Sequence, residues 1–173
     1  MRSLFEILGL PATFAMDVSA LEKAYFAAQR ATHPDRFIGK PEAERVAAVE
    51  RSTLMNDAYE TLKNPLTRAE HLLELQGIFA LADEAVVPPS ILMEMMELRE
   101  RIFDGGSDGA ALAGMVAEIK ALAGTNEKAL GEAFETADYT RATDETIRLQ
   151  YLGKAMEEAH MFIYRLKAAH AHD

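Results

Sequence analysis

The chain has no cysteine among its 173 residues. That absence excludes a disulfide framework, cysteine-ligated zinc fingers, cysteine-held iron–sulfur clusters and thiol catalysis. It also fits a reducing compartment. No apolar run approaches the roughly 18 residues of a membrane span. The opening Met1-Arg2-Ser3-Leu4-Phe5-Glu6 puts an acid where a signal peptide needs its apolar stretch, so a soluble, cytoplasmic protein is expected. Positive charge is scarce: 18 Lys and Arg stand against 28 Asp and Glu, for a formal net charge of −10. Nucleic-acid binding needs a basic footprint to neutralise phosphates, and anionic membrane surfaces need the same. Neither partner is expected.

What is present is helix-forming. Hydrophobic residues make up 49% of the chain and charged ones 27%, which is ordinary globular composition. Apolar residues recur at helical spacing, and no stretch alternates with a period of two. The charge is uneven: residues 1–80 carry a net of −2 and residues 81–173 a net of −8, so the halves present different surfaces. A short apolar turn at 4–8 is broken by Gly9 and Pro11. Asp17 or Ser19 caps the next helix, the latter with Glu22 as a capping box. Its stripe is Leu21, Tyr25, Ala28 and Thr32, and Pro34 stops it. A second helix runs from near Pro41 to Lys63, with Ala48, Met55, Ala58, Tyr59 and Leu62 inward. Asn64-Pro65 ends it, and a shorter helix runs from Thr67 to a C′ glycine at Gly77.

Residues 78–88, with Val86-Val87-Pro88-Pro89 at their end, read as a linker. Residues 89–173 read as three helices, about 89–103, 110–135 and 138 or 143 to 169, in an up-down bundle. The predicted fold is all-α, with residues 1–77 as one unit and the bundle as a second.

The most informative tripeptide is His33-Pro34-Asp35, set between two long helices. Pro34 fixes its own φ and biases residue 33 away from helix, so the corner is rigid. A rigid corner presents an imidazole and a carboxylate with little ordering cost on binding. Lys23 and Arg30 precede it, and Asn56-Asp57-Ala58-Tyr59 and Asn64-Pro65-Leu66 follow. With these residues the first 75 or so positions resemble the J-domain of DnaJ-type co-chaperones. The resemblance implies that His33, Pro34 and Asp35 dock on a DnaK-type chaperone and trigger its ATP hydrolysis. Lys23, Arg30 and Arg36 are then the steering cations, which act mainly on association rate. Two features depart from the family pattern: Thr32 stands where an aromatic is usual, and the basic face is thin.

The segment Ile91-Leu92-Met93-Glu94-Met95-Met96-Glu97-Leu98-Arg99-Glu100 is too apolar to bury on one stripe. Ile91, Met95, Leu98 and Ile102 pack inward at steps of four, three and four. Leu92, Met96, Arg99 and Glu100 then face outward, flanked by Met93 and Glu97. An exposed Leu-Met patch rimmed by acids suits a protein partner, because methionine adapts to irregular surfaces. Together with the preceding J-domain-like segment, this helix looks like the HscB-type co-chaperones of iron–sulfur cluster biogenesis, over essentially the whole chain. That resemblance implies that the bundle holds an IscU-type scaffold protein through Leu92, Met93, Met96, Glu97, Arg99, Glu100 and, on the last helix, Tyr151. Met96 replaces a common leucine and Tyr151 a common phenylalanine. It further implies a partner chaperone of the HscA type, no enzymatic activity of the chain's own, and no cofactor.

Elsewhere the residues are quieter. His71 is expected at a surface or between domains, and His160 in a local polar contact. His170 and His172 make a weak metal motif. The acidic pairs at 83–84, 144–145 and 157–158 read as solvated faces. Gly105 to Gly109 lacks the lysine and the preceding strand of a nucleotide loop and reads as a turn. Two other functions fit the same residues: a J-domain adaptor for an unrelated client, or a helical interaction module without chaperone coupling.

Overall fold

A computed structural model describes residues 3–82 and 86–170. The chain divides into two compact units, Met1–Ile78 and Phe79–Asp173. Every regular element among the described residues is helical.

In the first unit, α1 (Leu4–Leu8) buries Phe5 and Leu8 and stops at Gly9, whose φ of 66° is the left-handed conformation glycine tolerates. The α2 helix (Val18–Thr32) is capped by Asp17, whose carboxylate accepts from the Ser19 amide at 2.9 Å. Asp17 therefore takes the cap that the Ser19–Glu22 box competed for. Leu21 is fully buried, and Tyr25 stacks on Tyr59 of α3 (Glu42–Lys63) with ring centroids 4.3 Å apart. The Tyr25 hydroxyl donates to Asn56 Oδ1 at 2.9 Å, which fixes the register of the α2–α3 hairpin. A 3-10 turn, Pro34–Phe37, opens the connection between the two helices.

The α4 helix (Pro65–Glu74) starts two residues earlier than the Thr67 expected from sequence. Asn64 ends α3 and also caps α4, its Oδ1 accepting from the Leu66 amide at 2.8 Å. Pro65 sits at the first helical position, where a missing N–H costs nothing. His71 corrects the sequence reading more sharply. It is 2% exposed, and its Nε2 accepts from the Leu4 amide at 3.0 Å. The ring stacks on Phe5 at 6.0 Å. A side chain 67 residues away thus satisfies an orphan donor at the start of α1.

The second unit comprises α5 (Pro89–Asp104), α6 (Gly109–Glu135) and α7 (Tyr139–His170). Ion pairs give their directions. Arg101 of α5 meets Glu118 of α6 at 2.6 Å, while Arg141 of α7 meets Glu132 of α6 at 3.0 Å. On α5, Glu94 and Arg99 meet Arg148 and Glu158 of α7 in the same order, so α5 and α7 run parallel and α6 antiparallel. The core joins Ile91, Met95, Leu98 and Ile102 to Leu112, Met115 and Ile119 and to Ile147, Leu152, Ala155 and Ala159. Leu81 and Val87 pack against it, so the segment ahead of α5 contributes to this core. The turn at Gly105–Asp108 ends with Asp108 capping α6 through the Ala110 and Ala111 amides. Gly106 is required there: a Cβ would lie 2.9 Å from both the Phe162 ring and the Phe103 carbonyl. His172, Asp173 and the pair at 83–84 lie outside the described residues.

Candidate functional site

Two surfaces carry the residues singled out by sequence. The first is the corner after α2. His33 leaves the helix at φ −54°, ψ 128°, as a residue before proline should. Its Nδ1 accepts from the Asp35 amide at 3.3 Å and lies 3.5 Å from the Asp35 carboxylate. The imidazole is half-exposed and the carboxylate exposed, so both face solvent on a short rigid turn. The turn is tied to α3 where the Arg51 guanidinium lies 5.8 Å from the Phe37 ring. Lys23 and Arg30 are exposed on α2 one heptad apart, on the same face. Pro34 and Arg36 belong to the 3-10 turn by their backbone; their side chains lie outside the description.

The second surface is a groove of about 480 Å³ between α5 and α7. Its α5 wall is Leu92, Met96 and Arg99, with the inner edge of Met95; its α7 wall includes Tyr151, Lys154, Met161, Phe162 and Arg165. Four of the seven residues expected on this surface, Leu92, Met96, Arg99 and Tyr151, are thus brought together. Met93, Glu97 and Glu100 are exposed on the neighbouring strip of α5 and do not line the groove. The reason is helical geometry: at 100° per residue, 92, 96 and 99 fall within about 60° of one another, and 93, 97 and 100 fall beside them.

Charge pairs shape the walls. Arg99 Nε donates to Glu158 Oε2 at 2.8 Å, bridging α5 to α7 beside the groove. Lys154 Nζ lies 5.1 Å from the Tyr151 ring, and the Arg165 guanidinium 5.9 Å from the Phe162 ring. The surface is therefore apolar at its floor and edged by both signs of charge. Among the described residues no group of three His, Asp or Glu is placed to hold a metal ion, and no helix is long and apolar enough to cross a membrane.

Comparison with known proteins finds a match for each unit. Residues 3–71 match the DnaJ domain, and residues 87–160 match the HSCB C-terminal oligomerisation domain. Chaperone HscB from Vibrio cholerae is 34% identical, with 95% of this chain and 99% of that one covered and a TM-score of 0.82. The chain belongs to the HscB family of J-domain co-chaperones. Human co-chaperone HscB is 29% identical over 93% of this chain and 82% of its own, with a TM-score of 0.83. Jac1 co-chaperone from Saccharomyces cerevisiae, at 22% identity, shares the fold, covering 92% and 93% of the two chains at a TM-score of 0.75.

Sequence reasoning missed most of the α7 wall of this groove. Lys154, Met161, Phe162 and Arg165 are ordinary members of a long helix until α5 is laid beside them. The spacing 151, 154, 158, 161 or 162, and 165 on α7 is the signal that could have found them, since steps of three and four repeat one face.

Proposed function

We propose that the chain is a bivalent adaptor. The α5–α7 groove, with the adjoining Met93, Glu97 and Glu100 strip, binds an IscU-type iron–sulfur scaffold protein. The corner at His33, Pro34 and Asp35, with Lys23, Arg30 and Arg36, docks on a DnaK/HscA-type chaperone and stimulates its ATPase. The observation that carries this reading is one chain joining a corner with exposed His33 and Asp35 to a separate apolar groove edged by charge.

The chemistry divides accordingly. Leu92, Met96 and Tyr151 offer apolar area and polarizable sulfur to an irregular partner. Glu97, Glu100 and Arg99 select by charge, which mostly rejects wrong partners. The two units are linked by a few residues, so a scaffold held by the second is kept at high effective concentration beside a chaperone held by the first. ATP hydrolysis and the iron–sulfur cluster belong to the partners; this chain positions them.

Separation of the two activities tests the reading. His33→Gln is expected to leave calorimetric affinity for the scaffold unchanged while abolishing ATPase stimulation. A folded His33→Gln protein that lost scaffold binding and stimulation equally would refute the division of labour.

A further inference from the structure

Phe26 is the exposed aromatic of α2, with 53% of its surface open to solvent. A lone exposed apolar residue is ordinary. This one is placed where a partner is expected. At 100° per residue, Lys23, Phe26 and Arg30 lie within about 60° of one another, on the side opposite Leu21, Tyr25, Ala28 and Thr32. The line they form continues to His33, the residue that closes the helix. Ala27 and Ala31, also exposed, lie alongside and give the face little relief, so the phenyl ring stands proud of it. Its only ring neighbour among the described residues is Tyr25, tilted at 54° with centroids 5.4 Å apart, which leaves the Phe26 ring half-exposed.

We infer that Phe26 is an apolar anchor for the DnaK/HscA-type chaperone, inserting into an apolar depression rimmed by carboxylates on that partner. The inference rests on the reading that α2 and its corner face the chaperone. Charge selects the occupant: an aromatic bracketed by Lys23 and Arg30 fits an acidic rim, and it repels the cationic one. It also supplies what a thin basic face lacks. Two cations steer the encounter and make its rate salt-dependent, whereas an aromatic anchor lowers the dissociation rate.

The test is a titration of the chaperone's steady-state ATPase with wild type, Phe26→Ala, Phe26→Leu, His33→Gln and Val49→Ala. Val49 is an exposed apolar residue of α3 that serves as a surface control. Phe26→Ala is expected to raise the half-saturating concentration about tenfold, with the maximal rate recovered at saturation, as loss of a central aromatic anchor does. Phe26→Leu should shift it less, and Val49→Ala not at all. A folded Phe26→Ala protein with an unchanged half-saturating concentration would overturn the inference. So would one whose maximal rate fell without that shift, since Phe26 would then act in triggering. A Phe26→Ala change that only dissolved a self-associated species in sedimentation would make a second copy the occupant and overturn it as well. Absence of stimulation by wild type, or its persistence in His33→Gln, would instead overturn the functional reading beneath it.

Discussion

Truncating Leu92 and Met96 together should weaken scaffold binding about thirtyfold while leaving the fold intact. Both line the α5–α7 groove, and both are already partly covered by neighbours: Leu92 is 44% exposed and Met96 63%. Fully burying a Leu or Met side chain contributes about 1.5–3 kcal/mol. Scaling by the surface still open gives about 2 kcal/mol for the pair, or about thirtyfold in Kd. The assay is calorimetric titration of an IscU-type scaffold into wild type and Leu92→Ala/Met96→Ala. Thermal melting should be nearly unchanged, because neither side chain belongs to the core. Met95→Ala supplies the contrast. Met95 is 6% exposed in the bundle core, so its loss should cost about 2–5 kcal/mol of stability. A double variant that melts like wild type and binds within a factor of two of it would refute the assignment of the groove.

Other outcomes follow from burial and close approach. Burial holds the His71 imidazole below its ordinary pKa of 6.5, against the opposing pull of Glu74. The unfolded chain therefore binds this proton first, and the neutral form's stabilisation, full above about 6.5, is lost as pH falls through the folded value. Urea unfolding followed between pH 7.5 and 5 should show a steeper loss in wild type than in His71→Phe; equal slopes would remove His71 from the acid response. Gly106→Ala should destabilise the second unit by about 1–3 kcal/mol, since its Cβ meets the Phe162 ring and a backbone carbonyl. Gly124→Ala, in α6 with nothing near its Cβ, should stabilise it by about 0.5–1 kcal/mol. Denaturant midpoints that moved in the same direction for both would contradict this account of the turn.

What could be read from sequence was local. The break at Thr32 follows from the φ lock of Pro34, and the inward face of α5 follows from the four, three, four spacing of Ile91, Met95, Leu98 and Ile102, all of which are buried. Where two local signals compete, sequence leaves the choice open. Asp17 and Ser19 both make good caps, and Asn64-Pro65 both ends α3 and starts α4. Long-range contacts were not visible. His71 reads as a polar surface residue because nothing near it in sequence shows that the amide of Leu4 and the ring of Phe5 will enclose it. The α7 wall of the groove was hidden for the same reason: α5 and α7 are separated by the whole of α6, and only their parallel pairing sets Phe162 and Arg165 beyond Leu92 and Met96.

The central claim is that one chain couples a scaffold to a chaperone. It is tested most directly by steady-state ATP hydrolysis of an HscA-type chaperone with this protein alone, with an IscU-type scaffold alone, and with both. The account predicts that the two together stimulate more than the sum of their separate effects, and that His33→Gln removes the gain. Stimulation indifferent to the scaffold, or none from a folded protein and an active chaperone, would contradict it.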